Sequence, residues 1–183
     1  MKPLIIIDPG HGGKDPGGGS CKLFLEKDWS LKVSLYQAAL FYHAGITALL
    51  TRDRDRDLSP AERTRLVRNS NADICISNHV NAGGGTGFEV FHSTHANPAL
   101  GNCVVNQFKT TNMPIRQPPV KTRQQADGRD FYFMHRDTGS VQTLIIEYGF
   151  ADNREDAEKL WYHWKWYAEA AFEGVMEYLR IKR

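Results

Sequence analysis

The sequence has no long apolar run. Leu4 to Ile7 is followed at once by Asp8. That is too short for a bilayer span of about 20 residues, and it lacks the longer core and small-residue cleavage site of a signal peptide. A chain made in the cytosol, or a domain cut from a longer secreted protein, is expected, with no membrane partner. Cysteine is scarce: Cys21, Cys75 and Cys103 are odd in number and include no CxxC pair, which argues against a thiolate metal site or redox pair. Cys75, between Ile74 and Ile76, reads as a small core residue. An excess of one charge is also missing. Twenty-three basic and 21 acidic residues leave a formal charge of +2, not the basic surplus of a nucleic-acid binder. Arg116, Lys121, Arg123, Arg129 and Arg136 make a locally basic stretch, but Asp127, Asp130 and Asp137 interrupt it. It reads as a solvated loop face rather than a contact for an anionic polymer. The glycine-rich loop from Gly10 to Ser20 contains neither GxxxxGK[ST] nor GxGxxG before a helix, so a nucleotide cradle is not expected.

What is present is an alternation of strand and helix patterns. Lys2 to Asp8 reads as a buried strand closed by Pro9-Gly10. Glu26 opens a helix whose apolar face is expected to carry Leu31, Leu35, Ala38 and Tyr42, ended by Gly45. Strands are expected at 46–51, 73–80, 88–91, 131–135 and 141–148. Ser59-Pro60-Ala61-Glu62 is a capping box with proline at the first helical position, which starts a second helix. Further helices are expected over 98–110, with Asn97 as cap, and over 153–180, with a break near Trp161 and aromatic residues packed on the sheet. Residues 111–128, with three prolines, read as a surface loop. Together these predict an α/β fold in which 1–183 is a single domain, with a mainly parallel twisted sheet of about six strands and helices on both faces.

In such sheets functional groups gather beyond the carboxyl ends of the strands. His11 follows the first strand in DPGHGG, Glu26 begins the helix leaving the same loop, His79 closes the third strand in SNHVN, and Glu147 closes the last in IIEYG. Taken singly, most have a plain structural reading as a turn residue, a satisfied histidine or a helix-start charge. Glu147 does not, because Leu144, Ile145 and Ile146 precede it on a strand expected to be buried, where a carboxylate needs a partner. Taken together, two histidines and one carboxylate are a recurring catalytic zinc set with an open fourth position. The second carboxylate is then free to act as general base. Position assigns the roles: Glu26 beside the flexible loop is a metal ligand with His11 and His79, and Glu147 on a rigid strand is the catalytic base.

Six motifs in order, IIIDPGHGGKDPG, EKDWSL, LLTRDRDRDLSPAER, NADICISNHVNA, GFEVF and LIIEYGFADN, resemble the zinc-dependent N-acetylmuramoyl-L-alanine amidases of the type-3 class. The resemblance spans nearly the whole chain and implies zinc held by His11, Glu26 and His79, with Glu147 as catalytic glutamate. It also implies the substrate: peptidoglycan, hydrolysed at the amide between N-acetylmuramic acid and L-alanine, by a monomeric phage endolysin or autolysin catalytic domain acting at the bacterial cell wall. Asn78 before the second histidine, and the lack of a proline before the last strand, depart from the pattern without touching a ligand. The rival readings are a zinc peptidase cutting within the stem peptide, a glycosidase using the two glutamates, and a wall-binding module.

Overall fold

In the computed structural model, which describes residues 2–181, six strands form one sheet in the order β2-β1-β3-β6-β4-β5. These are β1 (Leu4–Pro9), β2 (Thr47–Leu50), β3 (Ile74–Asn81), β4 (Phe88–His92), β5 (Ile115–Lys121) and β6 (Gln142–Phe150). From β2 to β6 the pairing is parallel; β4 runs antiparallel to β6, and β5 parallel to β4. The helices are α1 (Glu26–His43), α2 (Pro60–Asn69), α3 (Ala99–Phe108), the short α4 (Phe133–Arg136) and α5 (Arg154–Ile181).

The period of two along a strand decides what each face meets. Ile5, Ile7, Ile74, Ile76, Leu144 and Ile146 point into a core shared with α1, α3 and α5, whereas Ile6, Cys75 and Ile145 join Val67 of α2 and Met134 of α4 on the other face. Burying each such aliphatic side chain contributes about 1.5–3 kcal/mol. Cys75 is a core residue, as its neighbours indicated, and all three cysteines are free. The capping box of α2 forms: Ser59 Oγ accepts from Glu62 N–H at 3.3 Å, and Glu62 Oε2 accepts from Ser59 N–H at 2.9 Å.

Four local expectations are corrected. Residues 111–128 do not form a plain loop, because 115–121 makes the edge strand β5; prolines are tolerated there since an edge strand leaves one row of donors unpaired. Residues 131–135 are not a strand: the β-rich FYFMH segment turns into α4 and caps the sheet. The last helix does break near Trp161, at His163, but Trp161 is 43% exposed rather than packed on the sheet. On α1, Leu35 and Tyr42 face solvent, while Trp29, Ser30, Val33, Ser34, Gln37 and Phe41 are buried. The buried stripe includes polar residues because the sheet presents polar partners there. Asn78 of β3 donates to Ser34 Oγ at 2.8 Å and Gln37 Oε1 at 2.7 Å, and accepts from Tyr148 OH at 2.9 Å. Asn78, which departs from the family pattern, is therefore a satisfied core residue.

At the end of β1 lies a buried ion pair. Asp8 accepts from Arg63 Nη1 (2.7 Å), Thr51 Oγ1 (2.7 Å) and Ser77 Oγ (2.7 Å), and neither Asp8 nor Arg63 is more than 5% exposed. Removing one partner leaves the other charge buried and uncompensated. Arg63→Met is expected to lower stability by about 3–5 kcal/mol, measured by urea unfolding at neutral pH. A loss below about 1 kcal/mol would show that the pair behaves like a surface bridge.

Candidate functional site

The loop from β1 to α1 turns back over the sheet through three consecutive positive φ angles, at His11 (59°), Gly12 and Gly13. A non-glycine residue in the left-handed region costs energy and persists only where surroundings enforce it. Two buried arginines do so here. Arg52 Nη2 donates to Gly10 O at 2.8 Å and Lys27 O at 2.7 Å, and Arg63 donates to Pro9 O at 2.6 Å and His11 O at 2.8 Å. At the far end of the loop, Ser20 Oγ accepts from Glu26 N–H at 2.9 Å, replacing the absent side-chain cap of α1. Gly17 (φ +86°) lies so close to Glu26 that a Cβ there would sit 2.4 Å from Oε2.

Glu26 is 1% exposed. Its Oε2 accepts from Gly19 N–H at 2.7 Å, and its Oε1 accepts from Val80 N–H at 2.9 Å. The same Oε1 lies 3.1 Å from His11 Nε2 and 3.0 Å from His79 Nδ1. Burial opposes the charge on Glu26, but the two histidines outweigh it and hold its carboxyl well below the usual carboxylate range. For His11, burial works to lower the imidazole pKa, and Glu26 and Asp15 raise it by more. One donor atom each from His11, Glu26 and His79 lies within 4.8 Å of the others. These three positions, read from the sequence as one group, are brought together.

Glu147 stands on β6 directly beside His79 of β3, with Glu89 of β4 on its other side. Paired residues share a face, so the three side chains form a row. Part of the Glu147 side chain reaches the surface, yet its Oε2 is closed off and takes no hydrogen bond. Burial first, then the like charges of Glu26 and Glu89, push its carboxyl well above the ordinary range. The pKa values of two carboxyls of one site are thus driven apart, Glu26 downward and Glu147 upward, the pattern that separates acid and base roles. The partner that sequence reasoning demanded for Glu147 is not supplied by the described residues. The strand also continues to Phe150, so Glu147 lies within β6 rather than at its last residue.

Two members of the site escaped sequence reading. Asp15 accepts from or faces His11 Nδ1 at 2.7 Å, on the ring nitrogen away from Glu26; its i+4 spacing from His11 was the available signal. Glu89 in GFEVF is 4% exposed and is held by Asn81 Nδ2 (2.8 Å), Arg116 Nε (3.1 Å) and Lys121 Nζ. Nothing in sequence joined it to cations some thirty residues later. The basic stretch is therefore not one solvated face: Arg116 and Lys121 turn inward to Glu89, while Arg129 pairs locally with Asp127. A cleft of about 530 Å³ opens at the opposite end of β6, lined by Ser93, His135 and Val141 among others, and shares no residue with this site.

A mainly parallel α/β sheet that carries a His-Glu-His donor set beside a carboxyl of raised pKa defines a hydrolase-type site. Residues 5–176 match the family described as N-acetylmuramoyl-L-alanine amidase, and the chain belongs to that family. It is 33% identical over 158 residues to the sporulation-specific N-acetylmuramoyl-L-alanine amidase of Bacillus subtilis, covering 85% of this chain and 59% of that protein. It is 31% identical over 189 residues to the endolysin of Bacillus phage SPP1, covering 100% of this chain and 68% of the endolysin. Among solved structures it resembles the N-acetylmuramoyl-L-alanine amidase AmiC2 of Nostoc punctiforme, with a TM-score of 0.86, 29% identity and 98% of each chain covered. The chain thus spans about three fifths of the length of the sporulation amidase. No described helix is long and apolar enough to cross a membrane.

The raised Glu147 carboxyl has a measurable sign. A carboxyl whose folded pKa exceeds its unfolded value contributes stability below the unfolded pKa, near 4.3, and loses it as pH rises toward the folded pKa. In chelator-treated protein, Glu147→Gln is therefore expected to be more stable than wild type at pH 8, with the advantage vanishing near pH 4. Urea unfolding at the two pH values checks this; an equal difference at both would refute the raised pKa of Glu147.

Proposed function

We propose that the chain hydrolyses, with zinc, the amide between N-acetylmuramic acid and L-alanine in peptidoglycan, as a cell-wall amidase catalytic domain over 1–183. The observation that carries this reading is the His11-Glu26-His79 cluster beside a carboxyl with an unpartnered oxygen. Family membership supports the amide substrate, and the endolysin and sporulation amidase support action at the bacterial cell wall.

The residues fit the ion. Zinc binds imidazole nitrogen and carboxylate oxygen at about 2.0–2.2 Å, which places neighbouring donors of a tetrahedral site roughly 3.3 Å apart. The His11–Glu26 and His79–Glu26 separations of 3.1 and 3.0 Å match that spacing. Asp15 on His11 Nδ1 sets the tautomer that leaves Nε2 available, as a carboxylate behind a histidine ligand does. His11, Glu26 and His79 would hold the ion. Bound there, zinc supplies Lewis acidity toward the amide carbonyl and a water of lowered pKa.

Glu147 is the general base and acid. Its raised pKa makes it a stronger proton acceptor than an ordinary carboxylate. The Glu147 carboxylate takes the proton from the attacking water and returns it to the L-alanine nitrogen as that group leaves. Glu26 cannot share this work, because both of its oxygens are tied to backbone N–H groups.

Purified wall distinguishes the rivals. An amidase exposes N-terminal L-alanine and leaves the lactyl group of muramic acid free; a glycosidase releases reducing ends, and a peptidase cuts within the stem. Zinc content and turnover are expected to separate the two glutamates. Glu147→Gln retains about one zinc per chain and loses roughly a hundredfold or more in kcat. Glu26→Gln loses zinc at low metal concentration and recovers part of its activity in excess zinc. Metal loss from Glu147→Gln with retention in Glu26→Gln would reverse the two roles.

A further inference from the structure

Beyond Glu147, away from His79, the row across the sheet continues into positive charge. The register of β4 with β5 jumps from Phe88–Ile115 to Val90–Val120, so residues 116–119 bulge opposite Glu89. Arg116 Nε lies 3.1 Å from Glu89 Oε2, and Lys121 Nζ contacts the same oxygen. Two cations meet one anion, leaving one positive charge in excess. Both remain accessible, with side chains 32% and 23% exposed. The guanidinium is also held in place: it lies 4.9 Å over the Phe150 ring, and Gly85 makes room for it, since a Cβ there would come within 2.3 Å of Nη1. The Arg116 terminal nitrogens take no hydrogen bond among the described residues, so a partly exposed guanidinium held in place by Glu89 and Phe150 keeps donors available.

From this we propose that Arg116 and Lys121 form the subsite for a carboxylate on the stem peptide, one residue beyond the L-alanine released by cleavage. The inference rests on the amidase reading above. N-acetylated sugars are uncharged, so the peptide side of the substrate is the part that complements a cationic fork. Adjacent strands lie about 4.8 Å apart, and one extended residue covers about 3.3–3.6 Å. A peptide leaving Glu147 toward β4 therefore brings its second residue to Arg116. In peptidoglycan stems that residue is joined through its side-chain carboxyl, which leaves its α-carboxyl free or amidated. Bidentate guanidinium–carboxylate recognition is strong and geometrically selective, and an amide cannot reproduce it. The subsite thus selects free acid over amide.

The test uses zinc-loaded protein and two muropeptides that differ only in a free α-carboxylate or a carboxamide at the second stem residue. Wild type is expected to favour the acid by about tenfold or more in kcat/KM, expressed mainly in KM. Arg116→Met and Lys121→Met each leave a cation on Glu89 and are expected to bring the ratio toward one, while Arg116→Lys restores part of it. Equal kcat/KM for the two substrates in wild type, or a ratio unchanged in both Met variants, overturns the proposal. Calorimetric titration with L-alanyl-γ-D-glutamate and its α-amide reads the subsite without turnover. If neither muropeptide is cleaved, the amidase reading fails by itself; if the acid and amide dipeptides bind equally, the subsite fails by itself.

Discussion

The arrangement depends on donors that reach inward carbonyls of one loop. From Pro9 to His11 the chain leaves β1 and reverses, turning its carbonyl oxygens toward the protein rather than toward water. Buried backbone acceptors must be paired, and here two arginine side chains pair them. Arg52 and Arg63, both nearly fully buried, donate to Pro9, Gly10, His11 and Lys27. They tie β1, the loop, α1 and α2 into one unit. Asp8 balances the charge of Arg63, and the left-handed His11 is held with its Nε2 3.1 Å from Glu26 Oε1. Without this clamp the same side chains would have no fixed relation to His79.

Given that frame, the electrostatics of the two glutamates follow from their surroundings. Glu26 has two histidines and two backbone N–H groups around it, so its charged form is favoured despite burial. Glu147 is desolvated, has no donor to Oε2 and feels the like charges of Glu26 and Glu89, so its carboxyl pKa is raised. Glu89 is part of that field, and its own charge is kept in place by Arg116, Lys121 and Asn81. The tuning of one carboxyl and the placement of two cations thus share one buried glutamate.

Local sequence determined much of this. The alternation of apolar runs with helical segments, the Ser59–Glu62 capping box and the turn at Pro9-Gly10 specify the α/β class and most element positions, because these signals act within a few residues. The three clustered donors were legible too, since each sits at a strand or helix end and strand ends converge in a parallel sheet. Local patterning failed where long-range partners decide. The apolar stripe read on α1 is displaced by Ser34 and Gln37, which bind Asn78 and Tyr148 far away in the chain. The FYFMH segment has strand composition but lacks an edge to pair with, and it closes into α4.

By itself, then, the sequence determined the fold class, the His11-Glu26-His79 grouping and the singular position of Glu147 among apolar residues. Tertiary structure alone decided that β5 forms from a proline-containing segment at an open edge. It also decided that Asp15 backs His11, that Arg52 and Arg63 brace the loop, and that Glu89 stands between Glu147 and two cations. The reason is physical: a charge or hydrogen bond acts over a few ångströms in space, and residues tens of positions apart become neighbours only when the sheet sets its strand order.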